Sequence, residues 1–405
     1  MEMKMARLIM VTDKNNYKFY YMSQVSEKEF KAEWGRIEVN HYEKMYPIER
    51  WDSIYYSKLR KGYVDQTNLD RVRTEKEEVM LYNIENQDVK ALIINLHDYV
   101  KNSILRNYDI SSNGVTLRRV ENAQQIIDDI ANHLSLDSDI DFINKKYLEL
   151  LGVITRRLQR VQDILFDEIN IESDLEKAQQ KIAEEQAILD VIRGEIETRI
   201  QASETGEKSI LEQFGLEIRP CTVEEDQMIK EMMESDAKAF SRAFRVIHKQ
   251  NQTEFDSYVN NSEDRSTRLF WHGSRNENWW NILKTGLVLR PANAVITGKL
   301  FGYGIYFTDK FRKALKYSSC RGSYLARGTE DTGFLALFNV HTGHQFHIKE
   351  HENWCYNINE ANLKNYGDYD SVFAEGIPGI RDNDYVIYTH DQCTIEYLVE
   401  VNFSS

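Results

Sequence analysis

The 405-residue chain is 41% hydrophobic, 29% charged and 11% aromatic. At about 150 residues per domain it should hold two or three domains, and this composition excludes an intrinsically disordered chain. The net charge of −14 argues against a broad polyanion-binding surface, but residues 1–84 carry 15 Lys+Arg against 14 Asp+Glu, and the rest 36 against 51.

Any contact with nucleic acid is therefore expected as a local patch within the first 84 residues. No apolar run reaches the roughly eighteen residues of a membrane span. The N-terminus offers only the four apolar residues 8–11 before Asp13 and Lys14, so no secretory leader is expected and the protein should be soluble and intracellular. Cys221, Cys320, Cys355 and Cys393 lie 35 to 99 residues apart without zinc-ligand spacing. They are expected as reduced, buried thiols, with no metal.

In chain order, residues 6–40 form short aromatic and β-branched runs that alternate with polar residues. ARLIMV, YKFYYMSQV and GRIEV are expected strands between Asp-Lys-Asn-Asn and Glu-Lys-Glu turns. A helix should follow from Glu49 to Leu59. Residues 85–201 contain no proline and follow helical periodicity. Val89, Leu92, Ile93, Leu96 and Val100 make one stripe, and Leu117, Val120, Ile126, Ile127 and Ile130 a second, with an Asn113-Gly114 turn between. Ser138 and Asp141 are expected to cap the next helix, and further helices are expected over 153–169 and 173–200. An all-α region of five or six helices follows from this. A coiled-coil stalk over 153–200 is disfavoured, because no a/d repeat is sustained.

A polar linker is expected over 202–208, then one or two helices within 221–260. From Leu269 the chain turns glycine- and aromatic-rich, with strands expected at RLFWHG, GKLFGYGIYFT, GFLALFNV, DYVIYTH and IEYLVEVNF. The fold class is α+β multidomain: a small β-rich domain over 1–84, an all-α domain over 85–201 and a mixed α/β domain over 202–405.

Three short signals in the last third carry chemistry. They are His272-Gly273-Ser274 at a strand end, Phe301-Gly302-Tyr303-Gly304-Ile305-Tyr306-Phe307 followed by Tyr317, and Asn383-Asp384-Tyr385 entering a strand. Each alone fits an ordinary core residue. Gly302-x-Gly304 leads into a strand and lacks a third glycine, so a dinucleotide-binding turn is excluded.

Together, LFWHGSRNENWWNILKTGL and VITGKLFGYGIYFTDKFRKALKYSSC, with the acidic Asp384, resemble the catalytic domain of the poly(ADP-ribose) polymerase family from about Ile210 to Phe403. Trp34-Gly35-Arg36 with KLRKGYVD resembles the WGR domain that often precedes it. ILRNYDISSNGVTLRRVENAQQIIDDI resembles the family's helical regulatory domain.

The resemblance implies an enzyme that transfers ADP-ribose from NAD+, its substrate, to protein acceptors including itself, releasing nicotinamide. The catalytic residues it implies are His272, Tyr306 and Asp384. Gly273 would bond the nicotinamide carboxamide, Tyr317 and Tyr306 would flank the nicotinamide ring, and His272 with Ser274 would meet the adenosine ribose. Asn278 and Lys313 would line the pocket, and Asp384 would hold the nicotinamide-ribose 2′-hydroxyl. Trp34, Lys58, Arg60 and Lys61 would contact a 5′-phosphorylated DNA end, and Arg36 the neighbouring domains. The chain is expected to be monomeric, away from membranes, and located in a nucleus or, in a prokaryote, in the cytoplasm or nucleoid.

Two departures matter. The family's polymerases carry glutamate at the acidic position, where this chain has Asp384, and many members carry serine where it has Ala314. Mono- and poly-transfer both stay open. So do a DNA-end-binding scaffold with a decayed site and an NAD+ hydrolase.

Overall fold

The computed structural model describes residues 3–37, 41–67, 84–108, 115–205, 209–289, 300–323, 325–326, 328–376 and 382–403, with side chains left aside for 199–205. The expected Asn113-Gly114 turn and the motif residues 295–299 lie outside them. The chain falls into two compact units. One holds Met1–Glu77 and Lys101–Glu197, the other Glu78–Val100, Thr198–Ala292 and Gly298–Ser405.

The first unit begins with strands β1 (Met5–Thr12), β2 (Asn16–Gln24), β3 (Glu29–Arg36) and β4 (His41–Pro47), helix α1 (Trp51–Arg60) and the short β5 (Val64–Asp65). They form one antiparallel sheet in the order β4-β3-β2-β1-β5. Alternation gives this sheet two apolar faces. Leu8, Tyr20, Met22, Phe30 and Ala32 pack with Trp51 of α1. Ile9, Tyr17 and Phe19 pack with Leu151 and Val161 from the helical segment.

Four helices follow among the described residues: α2 (Gln87–Asn107), α3 (Leu117–His133), α4 (Ile140–Val153) and α5 (Glu172–Thr205). Both predicted stripes point inward. Val89, Leu92, Ile93, Leu96 and Val100 are at most 2% exposed, and Val120, Ile126, Ile127 and Ile130 are buried, with Leu117 at the helix start only half-buried.

The helix expected over 153–169 does not form. Chain 154–160 runs extended, with Tyr108 and Arg156 in a β-bridge, and only Val161–Ile164 turns. Its backbone donors are used sideways: Arg156 N–H donates to the Tyr17 hydroxyl at 2.5 Å and Arg157 N–H to the Asn107 carbonyl at 2.9 Å. The cap of α4 also differs from expectation. Asp139 accepts from Phe142 N–H at 3.1 Å, while the Ser138 hydroxyl donates to carbonyls of the preceding turn. Residues 202–205, expected as linker, are the last turn of α5.

The second unit continues with α6 (Ile210–Gln213), β6 (Leu216–Pro220), α7 (Val223–Met232), β7 (Phe240–His248), α8 (Lys249–Asn261), β8 (Arg268–Gly273), α9 (Trp279–Thr285), β9 (Ile305–Phe307) and α10 (Phe311–Leu315). It ends with β10 (Thr332–Val340), β11 (Gln345–Ile348), α11 (Glu360–Leu363), β12 (Ser371–Ala374), β13 (Asp384–Ile387) and β14 (Cys393–Asn402). One sheet runs β6-β7-β14-β10-β8, the other β11-β12-β13-β9. Strand β7 interrupts the span expected to be helical. Its Ala243, Phe244, Val246 and His248 are buried, and it pairs with β14 and β6.

Candidate active site

The two sheets of the second unit meet where β8 ends. Trp271 and Thr308 exchange backbone hydrogen bonds at 2.8 and 3.1 Å, joining the end of β8 to the end of β9. Tyr306 stands opposite Val386 in the β9–β13 pairing, and Asp384, two residues from Val386, shares that face. These strands bring His272, Gly273, Tyr306 and Asp384 together, and α10 adds Lys313 and leads to Tyr317.

Gly273 is required by its neighbours. A Cβ there would stand 1.9 Å from the Ala314 carbonyl oxygen, so the end of β8 can approach α10 only as glycine. His272 donates through Nδ1–H to the Tyr306 carbonyl at 3.0 Å. That fixes the tautomer and leaves Nε2 an acceptor suited to a sugar hydroxyl. Burial pushes its pKa below the ordinary value, so the ring is neutral at pH 7.

The Tyr306 hydroxyl accepts from Phe301 N–H and donates to the Gly302 carbonyl, both at 2.9 Å. The phenol is thereby anchored and serves as a wall; burial raises its pKa, with the Asp384 charge adding to the effect. Tyr317 is 40% exposed. Its hydroxyl end is nevertheless crowded: burial, with Asp384, pushes it up to about 12. Both phenols thus sense the Asp384 carboxylate.

Asp384 is 7% exposed. Burial raises its carboxyl pKa, and the Lys313 ammonium, 2.7 Å from Oδ1, opposes that shift. Lys313 also donates to the carbonyls of Asp382 at 2.9 Å and Asn383 at 3.2 Å. Next to β8, Asn278 Nδ2 donates to Ser274 Oγ at 3.0 Å, so those two predicted residues act as a pair. Asn276 carries no signal of its own in the sequence. Its buried amide donates to the Thr332 carbonyl and accepts from Phe334 N–H, fixing the turn that carries Ser274. Only its place within the motif could have suggested it.

A half-open cavity of about 730 Å³ also lies in this unit, lined by His248, Glu254, Leu287, Phe338 and Thr394 among others, and contains none of these site residues.

In the first unit, Tyr20, Trp34 and Tyr42 stack at centroid spacings of 5.7 and 6.2 Å, leaving Tyr42 exposed. Lys58 lies over the Tyr20 ring at 3.7 Å, and burial lowers its pKa. Arg60 and Lys61 are exposed. Arg36 donates to the Asn15 carbonyl, the Asn15 side chain and the Gln159 carbonyl, from 2.7 to 3.3 Å. Among the described residues no group of His, Cys, Asp and Glu could hold a metal ion, and no helix is long and apolar enough to cross a membrane.

A buried carboxylate, two aromatic walls and a neutral imidazole around a glycine edge suit cleavage of a glycosidic bond to a flat cationic leaving group. Such an arrangement fits the NAD+ ADP-ribosyltransferase activity that the following similarities support. Residues 223–403 match the poly(ADP-ribose) polymerase catalytic domain. The chain is 28% identical over 166 residues to the poly(ADP-ribose) polymerase-like protein 100L of Invertebrate iridescent virus 6, covering 40% of this chain and 84% of that protein. It is 32% identical over 162 residues to poly(ADP-ribose) polymerase 2 of Zea mays, covering 35% of this chain and 24% of that protein. It is 31% identical over 177 residues to poly(ADP-ribose) polymerase 2 of Homo sapiens, covering 35% and 28%. Residues 223–403 are thus similar to the catalytic domain of the poly(ADP-ribose) polymerase family.

Proposed function

We propose that this protein transfers ADP-ribose from NAD+ to protein acceptors, itself included, and that DNA ends stimulate the transfer. The observation that carries the transfer is Asp384, on the same sheet face as Tyr306 and paired with Lys313 of α10. Gly273 holds the carboxamide and the two tyrosines flank the pyridinium ring. Asp384 binds the nicotinamide-ribose 2′-hydroxyl and stabilises positive charge developing at the anomeric carbon. The carbon–nitrogen bond breaks with its electron pair leaving on nicotinamide, the acceptor oxygen attacks the same carbon, and the acceptor's proton passes to Asp384 or solvent.

The stacked Trp34 and the exposed Arg60 and Lys61 support DNA-end contact, as does the resemblance of this sheet to a WGR domain. Autoinhibition by the helical segment follows the same reading, in which loosening that segment shifts the population toward an open site. Aspartate in place of glutamate and the short connection from Ser371 to Asp384 favour mono-transfer over chain growth, while Ala314 in place of serine removes one hydrogen bond to the carboxamide.

The test is labelling from labelled NAD+ with and without a blunt, 5′-phosphorylated duplex. A sharp labelled protein band that strengthens with DNA supports the reading. A ladder replaces mono-transfer with polymerisation. Free ADP-ribose without protein label identifies a hydrolase, and bound DNA without nicotinamide release a scaffold.

A further inference from the structure

Behind Asp384 lies a second set of polar side chains with no part in the site described above. Asn383 donates through Nδ2 to Asp309 Oδ2 at 3.2 Å. The other Asp309 oxygen is buried without a hydrogen-bond donor. The Asn383 amide also meets the Tyr385 hydroxyl, as does Arg268, whose guanidinium lies 5.8 Å from the Tyr385 ring centroid.

Asp309 follows Thr308, which is bonded through its backbone to Trp271, the residue before His272. On the other side Lys313 holds the Asp384 carboxylate and the carbonyls of Asp382 and Asn383. The tripeptide 382–384 is thus clamped twice, once to the turn that follows β9 and once to α10.

This clamp answers the missing methylene. Glutamate has three side-chain torsions with which to find its place, whereas aspartate has two, so an aspartate carboxylate stands only where its own backbone puts it. A misplacement of about 1 Å costs on the order of 100-fold in rate. We propose that Asp309 and Asn383 are positioning residues for ADP-ribosyl transfer: their hydrogen bond sets the backbone that delivers the shorter Asp384 carboxylate to the anomeric carbon. The proposal rests on the transferase reading.

The test uses the full chain and nicotinamide release. Asn383→Ala should lower kcat by about 10- to 100-fold and move KM for NAD+ by less than about twofold, because the clamp acts on the reacting geometry rather than on substrate binding. Asp309→Asn keeps an acceptor oxygen for the Asn383 amide and should stay within about fivefold of wild type. Asn383→Asp sets two carboxylates face to face; activity should collapse at pH 8 and recover in part at pH 6, where the pair can share a proton. The exchange Asp309→Asn/Asn383→Asp restores an amide–carboxylate bond and should bring activity at pH 8 back to within about tenfold of wild type.

Unchanged kcat in Asn383→Ala, or an exchange variant as inactive as Asn383→Asp, overturns the proposal. If wild type releases no nicotinamide, the transferase reading fails. The clamp is then decided by pH titration of the Asp384 side-chain carboxyl ¹³C signal: a shift between wild type and Asn383→Ala supports the clamp, and an identical titration overturns it.

Discussion

Gly273 shows how a single residue type can be demanded by geometry. The added Cβ of Gly273→Ala would fall 1.9 Å from a backbone oxygen that cannot swing away, so the end of β8 must shift from α10. We expect a loss of about 1–3 kcal/mol in unfolding free energy, and nicotinamide release reduced by about 100-fold. Urea unfolding and single-turnover assays check the two arms; a fully active alanine variant would show that the close approach is not needed. This residue, with His272, Tyr306 and Asp384, was legible in the sequence as a candidate, because each sits in or at the end of a strand inside its own motif. Asn383 and Asp309 were not legible as a pair. They lie 74 positions apart, and nothing in spacing foretells that β9 and β13 will set them side by side.

At the scale of elements, sequence periodicity found what burial controls and missed what side chains control. The α2 and α3 stripes are the buried faces expected, since an apolar stripe must find a core. The segment after α4 carries similar apolar residues, but a polar cluster draws it out of helix. Arg156 and Glu185 form a buried ion pair, Tyr147 donates to Glu185 at 2.7 Å, and Arg156 donates to the Asn107 carbonyl at 3.1 Å. No local pattern encodes a cluster assembled from Tyr17, Asn107, Tyr147, Arg156 and Glu185. Breaking such a pair on one side leaves an unpaired buried charge. Glu185→Leu should therefore cost about 3–5 kcal/mol, and Arg156→Met/Glu185→Leu should recover most of it. Equal losses in the single and double variants, by chemical denaturation, would mean that the pair carries no coupling.

Lys181 borders the same cluster, its ammonium 4.2 Å from the Phe166 ring centroid and 5.1 Å from that of Tyr147, and burial lowers its pKa to about 8. The unfolded value is near 10.5. Between those values the unfolded chain binds more protons than the folded one, so stability should rise as pH increases from about 8 toward 10.5. Below pH 8 lysine is protonated in both states and the folded state bears the full desolvation penalty. The rise, read from urea midpoints, should be smaller in Lys181→Met; identical slopes would place the lysine in a wetter setting.

Across the whole chain, the three composition zones in the sequence mark where the β-rich, helical and mixed elements fall, yet the compact units do not follow those zones. Residues 84–100 cluster with the elements of the second unit. Their contacts are specific: the His97 ring stands 4.5 Å from that of Trp280 on α9, Tyr99 meets Phe334 edge-on at 6.3 Å, and Arg242 reaches Asp88 at 3.9 Å. Phe334 directly precedes Leu335, the residue paired with Gly273, so this helix packs one position from the glycine edge of the active site. If the helical segment restrains the transferase as proposed, weakening this contact should release it. Tyr99→Ala removes an aromatic pair worth about 0.5–1.5 kcal/mol beyond its buried area. A shift of that size in a closed–open equilibrium corresponds to about 2- to 12-fold more open state. DNA-free nicotinamide release should rise by that factor, while turnover at saturating DNA, where the restraint is already relieved, should stay nearly constant. Equal losses with and without DNA would assign Tyr99 to holding the active site together rather than holding it shut.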